Sequence, residues 1–287
     1  MTSVSAPRRS RLPTLRKRLA EGPREIAIFA VAYLVYFGVR AITDGAPAAA
    51  LRHADDVIRL EQRLGIAWEH VVQNDVVASR VLLDAANAVY MYGHWPVIIV
   101  AGALLYRYRR HSYYQLRNAC LLSGLVGLAI FALYPVAPPR LTDLPLVDTV
   151  TQHAEGYRQI VPKALVNQYA AMPSFHAGWN VLLGIVVLRA TRNWLFRGLA
   201  VAGPAAMVVA VVATANHFVL DVVAGVAIVL AGLIAVHAIE RVRDRRTLDY
   251  RHDAHRTARV LHRRPPCGQR SRAAASRRTT RTPARRG

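Results

Sequence analysis

FRGLAVAGPAAMVVAVVATANHFVLDVVAGVAIVLAGLIAVHA, residues 196–238, is two apolar runs joined by a short polar knot at 214–218. Each run is long enough for a helix that crosses a bilayer, which needs about 17–25 mostly apolar residues. Helices are therefore expected over about 196–215 and 217–238. So short a link makes them antiparallel neighbours with a tight turn at one membrane face. His217 lies in that turn and Asp221 follows four residues later. Ionisable groups at membrane depth are costly and by default mark function.

Working outward, four further segments have the same character: about 24–42, 81–105, 117–136 and 175–190. The segment 81–105 has a polar centre at Tyr90, Tyr92 and His94, and 175–190 is short. The expected fold is all-α, a polytopic membrane protein with six transmembrane helices. Composition agrees: of 287 residues, 53% are hydrophobic and 19% charged, which is more apolar than soluble chains. The net charge of +21 is concentrated at the two ends. Three parts are expected: a basic cytoplasmic segment 1–23, a membrane catalytic domain 24–241, and an arginine-rich tail 242–287. The tail, poor in large apolar residues, is expected to be disordered in isolation. Residues 1–24 lack an apolar signal core, and no small-residue cleavage site follows the first run, which reads as a retained helix. Cys120 and Cys267 sit in different environments and read as free.

Charge asymmetry sets the orientation. The N-terminus, the 2–3 loop (Arg107, Arg109, Arg110, Arg117), the 4–5 loop (Arg189, Arg192, Arg197) and the tail are basic. Six spans place all four on one side, expected to be cytoplasmic. The opposite loops, 43–80, 137–174 and the 214–218 turn, are acidic or mixed. Residues 56–78 are too polar to span, and Leu60, Leu64, Ile66, Val71 and Val72 suit the face of an amphipathic helix on the outer surface. The long 137–174 loop is broken by prolines, with a short helix expected at 156–171. The basic tail, beside a cytoplasmic leaflet, suits anionic lipid head groups. Nucleic-acid binding is not expected, because no aromatic platform or folded module accompanies the charge.

On this topology, His176 at the start of the fourth span, His217, Asp221 and Arg140 reach one outer face. An imidazole is a nucleophile near neutral pH when an acceptor holds its other nitrogen. Asp221 is placed to hold His217, and a second imidazole, His176, to protonate a leaving alkoxide. Arg140 offers a planar fork for phosphate oxygens. Amides at 174–177 add anion-binding donors, with Ser174 a helix cap. Plainer readings stand beside these: interfacial histidines, a helix-terminal aspartate, or a zinc site of His176, His217 and Asp221.

These residues resemble the type 2 phosphatidic acid phosphatase (PAP2) superfamily of integral-membrane proteins, and more closely the branch of inositol phosphorylceramide synthase-type phosphotransferases. Pro173-Ser174-x-His176 resembles the second motif, with Phe175 where glycine is common. His217-x-x-x-Asp221 followed by Gly225 resembles the third, and Pro138-Pro139-Arg140 the arginine part of the first. Gly93-His94-Trp95-Pro96 and Leu60-Glu61-Gln62-Arg63-Leu64-Gly65 are similar to the branch as well. The resemblance implies His217 as the phosphohistidine nucleophile, Asp221 as its partner and His176 as the acid. It implies Arg140 and Ser174 as phosphate binders, and neither metal nor other cofactor. The chain departs from the pattern at Ala210 and Val211, where Ser-Arg is common, and it lacks the first-motif lysine. His94, Arg63 and Lys163 are candidates to compensate, though His94 counts as too deep for direct contact and suits packing with Tyr92. Phe175 and Trp179 are candidates to exclude water or stack on an acceptor.

The expected activity is a membrane lipid phosphate phosphatase or phosphotransferase at the extracytoplasmic face of the cell membrane, with both termini cytoplasmic. Its alternatives are a transferase moving a phosphoryl-polyol or phospho-sugar head group between a lipid and a polyol or sugar acceptor, and a non-enzymatic scaffold or transporter.

Overall fold

A computed structural model describes residues 12–43, 47–153 and 168–262. The described secondary structure is helical apart from one isolated parallel bridge, Val136 to Ala170. In chain order the helices are α1 (Leu12–Thr43), α2 (Pro47–Leu64), α3 (Glu69–Val77), α4 (Arg80–Tyr92), α5 (Trp95–Tyr108), α6 (Arg110–Leu133), α7 (Thr149–His153), α8 (Phe175–Ala190), α9 (Trp194–Ala213) and α10 (Val219–His262). Residues 1–237 form one compact unit and 238–287 a second.

Four helices contain stretches long and apolar enough to cross a membrane: Gly22–Ala41, Arg110–Leu133, Trp194–Ala213 and Val219–Thr247. The expected second span is not one straight helix. It is the pair α4 and α5, bent by 51° at Gly93-His94, and counting it as a span makes five. Pro96 explains the break, since its ring cannot continue a helix but suits a first turn. The fourth segment, α8, is an apolar helix of 16 residues, about 24 Å at 1.5 Å per residue. Large apolar side chains stand exposed along the helices, among them Ile26, Leu34, Ile99, Leu133 and Ile234. In so apolar a chain such positions suit lipid.

The expected surface helix over 56–78 divides in two. Gly65, at φ +68°, ends α2 and turns the chain toward α3, a conformation that glycine adopts without penalty. The face of α2 that is buried is Ala50, Ala54, Val57 and Glu61, spaced three and four residues apart as one helix stripe requires. Leu60, Leu64 and Val71 stand exposed on other faces. At the far end, α10 runs to His262, past the boundary at 242 where a disordered tail is expected. Arginine, alanine and leucine there are good helix formers. The tail 263–287, Cys267 and the helix expected at 156–171 lie outside the described residues, except for Gln168–Ala171.

The main core joins α5, α6, α8 and α10 through Leu105, Leu116, Leu182, Val186, Val229 and Leu233. Small residues set how closely the helices cross. A Cβ on Gly178 would come 2.7 Å from the Gly225 carbonyl oxygen, and one on Gly225 would come 2.1 Å from that of Ser174. α1 is tethered to α6 by Glu25, which pairs with Arg117 and accepts from the Tyr113 hydroxyl at 2.8 Å. Gly225→Val should therefore destabilise the fold by about 3 kcal/mol, the upper end of the overpacking range, seen as a lower melting temperature in detergent. Gly102→Ala, which meets nothing within 4 Å, should be neutral or stabilising, and equal melting of the two variants would contradict the packing at Gly225.

Candidate active site

The turn between α9 and α10 is closed by backbone hydrogen bonds that end helix α9. The amides of Asn216 and His217 both donate to the Val211 carbonyl, each at 3.1 Å, and Ala215 donates to Val212 at 2.9 Å. Ala215 sits at φ +53°, a left-handed conformation uncommon for a residue with a Cβ. Asn216 reinforces the turn from inside, donating to the Thr214 hydroxyl at 2.8 Å. Arg140 docks here twice: its amide donates to the Ala215 carbonyl at 3.0 Å, and its guanidinium to the Asn216 side-chain oxygen. Its Nε also lies 3.6 Å from Asp148. The 3-10 turn Pro139–Leu141 thus delivers an arginine to the residue beside His217.

His217 is buried, and its Nδ1 lies 2.8 Å from the Ala171 carbonyl oxygen. A carbonyl only accepts, so Nδ1 carries the proton and Nε2 keeps the lone pair. Asp221 Oδ2 is farther from Nδ1, at 3.5 Å, and accepts from the Phe218 amide at 2.8 Å. The Ala171 carbonyl and the Asp221 carboxyl thus both lie on the Nδ1 side of the ring. Asp221 Oδ1 is buried and has no hydrogen-bond partner among the described residues. His217 precedes α10 by two residues, so the i,i+4 pairing is made by the turn and not by helix geometry.

His176 opens α8, with its ring centroid 5.7 Å from that of His217. Ser174, fully buried, caps this helix by accepting from the Ala177 amide at 3.4 Å, and its own amide donates to the Asp221 carbonyl at 2.9 Å. Ser174 thus acts as a cap, and its backbone ties the two histidine-bearing helices together. His94, expected to be too deep, lies 4.3 Å from the His176 ring. His94 sits at the break between α4 and α5. Its Nδ1 accepts from Asn180, whose amide also donates to the His176 carbonyl at 2.8 Å. Tyr90 stacks on the other side of His176 at 4.7 Å, while Tyr92 is exposed.

The remaining candidates divide. Phe175 lies over Gly127, where a Cβ would come 2.2 Å from its ring, and packs on Phe131 and Trp179. Trp179 donates to the Ser123 hydroxyl at 3.2 Å and reaches His94 and Trp95 with its ring. These contacts give Phe175 a packing role and put Trp179 behind the histidines. Arg63 stands exposed in the last turn of α2. Lys163 lies outside the described residues. Val211, where an arginine is common, is fully buried in an apolar cluster with Ala177, Met207 and Val222. Among the described residues, no group of three or more His, Cys, Asp or Glu is placed to hold a metal ion.

Two carboxylates were given no role from the sequence, although Glu61 lies in the quoted Leu60–Gly65 segment. Glu61 accepts from the Leu220 amide at 2.6 Å and Glu69 from the Val219 amide at 2.9 Å. A signal existed for Glu61: it falls on the helix stripe of Ala50, Ala54 and Val57, a carboxylate where an apolar residue belongs. The Ala171 carbonyl had no signal, because a backbone acceptor leaves no trace in residue type.

No curated protein and no solved structure matches the chain. The family model of the PAP2 superfamily matches residues 55–235, a stretch that includes α3 to α9, the polar turn and every histidine of the site. With more than half of its length matched, and with both motif histidines and the aspartate inside the match, this chain belongs to the PAP2 superfamily.

Proposed function

We propose that the protein is a membrane lipid-phosphate phosphatase or phosphotransferase that works through a phosphohistidine on His217. The observation that carries this reading is the hydrogen bond from His217 Nδ1 to the Ala171 carbonyl, which leaves Nε2 as the free nucleophile. Nε2 attacks phosphorus and the bond from phosphorus to the leaving oxygen breaks. His176 gives that oxygen its proton. In the second half, His176 takes a proton from water or an alcohol, whose oxygen displaces His217 from phosphorus. Asp221 stabilises the charge on the imidazole ring while it is phosphorylated. Arg140, tethered to Asn216, binds the phosphate oxygens, and the first turn of α8 behind Ser174 adds amide donors. His94 and Asn180 support His176 from behind.

The membrane arrangement of this reading has six crossings, with α8 as the short one inside the bundle and the α4–α5 pair as the bent one. The basic loops and both termini then face the cytoplasm, and the histidines face outward in the cell membrane. The exposed Leu60, Leu64 and Val71 of α2 and α3 would rest on the outer leaflet. The basic terminal segments would meet anionic lipid on the inner one. Water as acceptor makes a phosphatase. A polyol or sugar hydroxyl makes a head-group transferase with the same two histidines, as in the inositolphosphotransferase-like branch. The intact His176, His217 and Asp221 set speaks for an enzyme over a scaffold.

The test is turnover of radiolabelled lipid phosphates by the purified protein, with and without inositol or sugar acceptors. Release of free phosphate alone identifies a phosphatase, and an acceptor-dependent lipid product identifies a transferase. His217→Ala should abolish turnover and the acid-labile phosphoenzyme, and full activity of that variant would end the reading. His176→Ala should cost roughly 10²–10⁴-fold in kcat, the range for losing a general acid. Chelation with EDTA should leave turnover unchanged; strong inhibition would restore the reading of His176, His217 and Asp221 as metal ligands.

A further inference from the structure

The first turn of α10 is met by two buried glutamates that the catalytic scheme does not use. A helix start leaves its first amides without intrahelical partners. Here three successive amides each meet a different acid: Phe218 donates to Asp221, Val219 to Glu69, and Leu220 to Glu61. Glu61 and Glu69 are 1% and 4% exposed, which is extreme for glutamates. They come from α2 and α3, 159 and 150 residues away in the chain. The turn at Gly65 brings them together.

We propose that Glu61 and Glu69 form a carboxyl clamp that positions His217 by gripping the backbone immediately after it. The proposal rests on the reading of His217 as nucleophile. Both glutamates are positioning residues, because they act through main-chain amides. The His217 turn includes a left-handed alanine and is held by Arg140. A nucleophile must stay within a fraction of an ångström of its line of attack. Two glutamates anchored in separate helices restrict the backbone that follows it, while Arg140 holds the backbone that precedes it.

The charge state of the clamp follows from its surroundings. The ionisable groups that act on Glu61 are Glu69 and Asp221, both acidic. Among the described residues no cation pairs with either glutamate. Burial foremost, opposed by the Leu220 amide and reinforced by Glu69 and Asp221, pushes the Glu61 carboxyl up to about 9. These surroundings favour the protonated form of the Glu61 carboxyl. A pKa raised in the folded state adds stability at low pH that is lost as pH rises toward 9. Glutamine imitates a protonated glutamate, so Glu61→Gln should preserve the clamp and remove this pH dependence.

The experiment compares the full-length wild type, Glu61→Gln and Glu61→Ala in detergent, by amide hydrogen exchange over 217–222, by melting against pH, and by kcat and KM on the lipid phosphate turned over above. In Glu61→Ala the Leu220 amide should exchange at least about tenfold faster. Its kcat should fall by about 10²-fold, the scale of a 1 Å misplacement, with KM little changed. Glu61→Gln should match wild type in exchange and kcat near neutral pH. Wild type should lose melting temperature relative to Glu61→Gln between about pH 5 and pH 9. Wild-type exchange at Leu220 in Glu61→Ala would overturn the clamp. If Glu61→Ala does not accumulate, parallel melting profiles of wild type and Glu61→Gln would overturn it instead. Activity in His217→Ala would defeat the catalytic reading and leave the exchange and melting results to judge the clamp alone.

Discussion

Backbone hydrogen bonding at the α9–α10 turn is the constraint on which the rest of the site depends. Two apolar helices joined by a few residues present their ends together, and those ends carry unpaired amides and carbonyls. Away from water each unpaired group costs several kcal/mol. The chain meets the demand from within: Val211 accepts twice, Asn216 bonds to Thr214, and Arg140 donates to Ala215. Three acids take the first amides of α10. His217 has little freedom because nearly every neighbour of its backbone is already committed.

The same economy explains why α2 and α3 belong to the site. As surface helices they would need only one apolar face. Their Glu61, Glu69 and Gln73 are nonetheless buried, with Gln73 donating to Ala213 at 3.0 Å and to Val147 at 2.9 Å. Polar groups buried in this way cost free energy unless fully satisfied. All three are satisfied by the backbone of the α9–α10 turn or its neighbours. The helices therefore brace that turn.

Close helix approach supplies the second half of the geometry. Gly178 and Gly225 let α8 and α10 approach until the Ser174 amide reaches the Asp221 carbonyl. That contact holds the His176 helix to the Asp221 helix, and the two imidazoles end 5.7 Å apart. On the far side of His176, the bend at Gly93-His94 and the Asn180 amide bring in a third histidine. Arg140 is held to Ala215 and Asn216 beside His217, while Val211 packs in an apolar cluster.

Much of this was legible in residue order. Long apolar runs announce membrane helices, and a short polar link between two of them forces a turn at one face. His176, Ser174, His217, Asp221 and Arg140 were each located by such edges, and the structure gathers them. Two things were not legible: the bend at Gly93-His94 and the division of 56–78 into two helices. Each depends on how a helix breaks or persists, which periodicity alone does not specify. By itself the sequence determined an all-helical, membrane-suited chain and the residue types of its chemistry, because hydropathy and charge act locally. Only the tertiary structure decided which acceptor holds His217 and which acids grip its turn. Those partners are a backbone carbonyl and side chains on distant helices, and pairing across such separations is settled by packing.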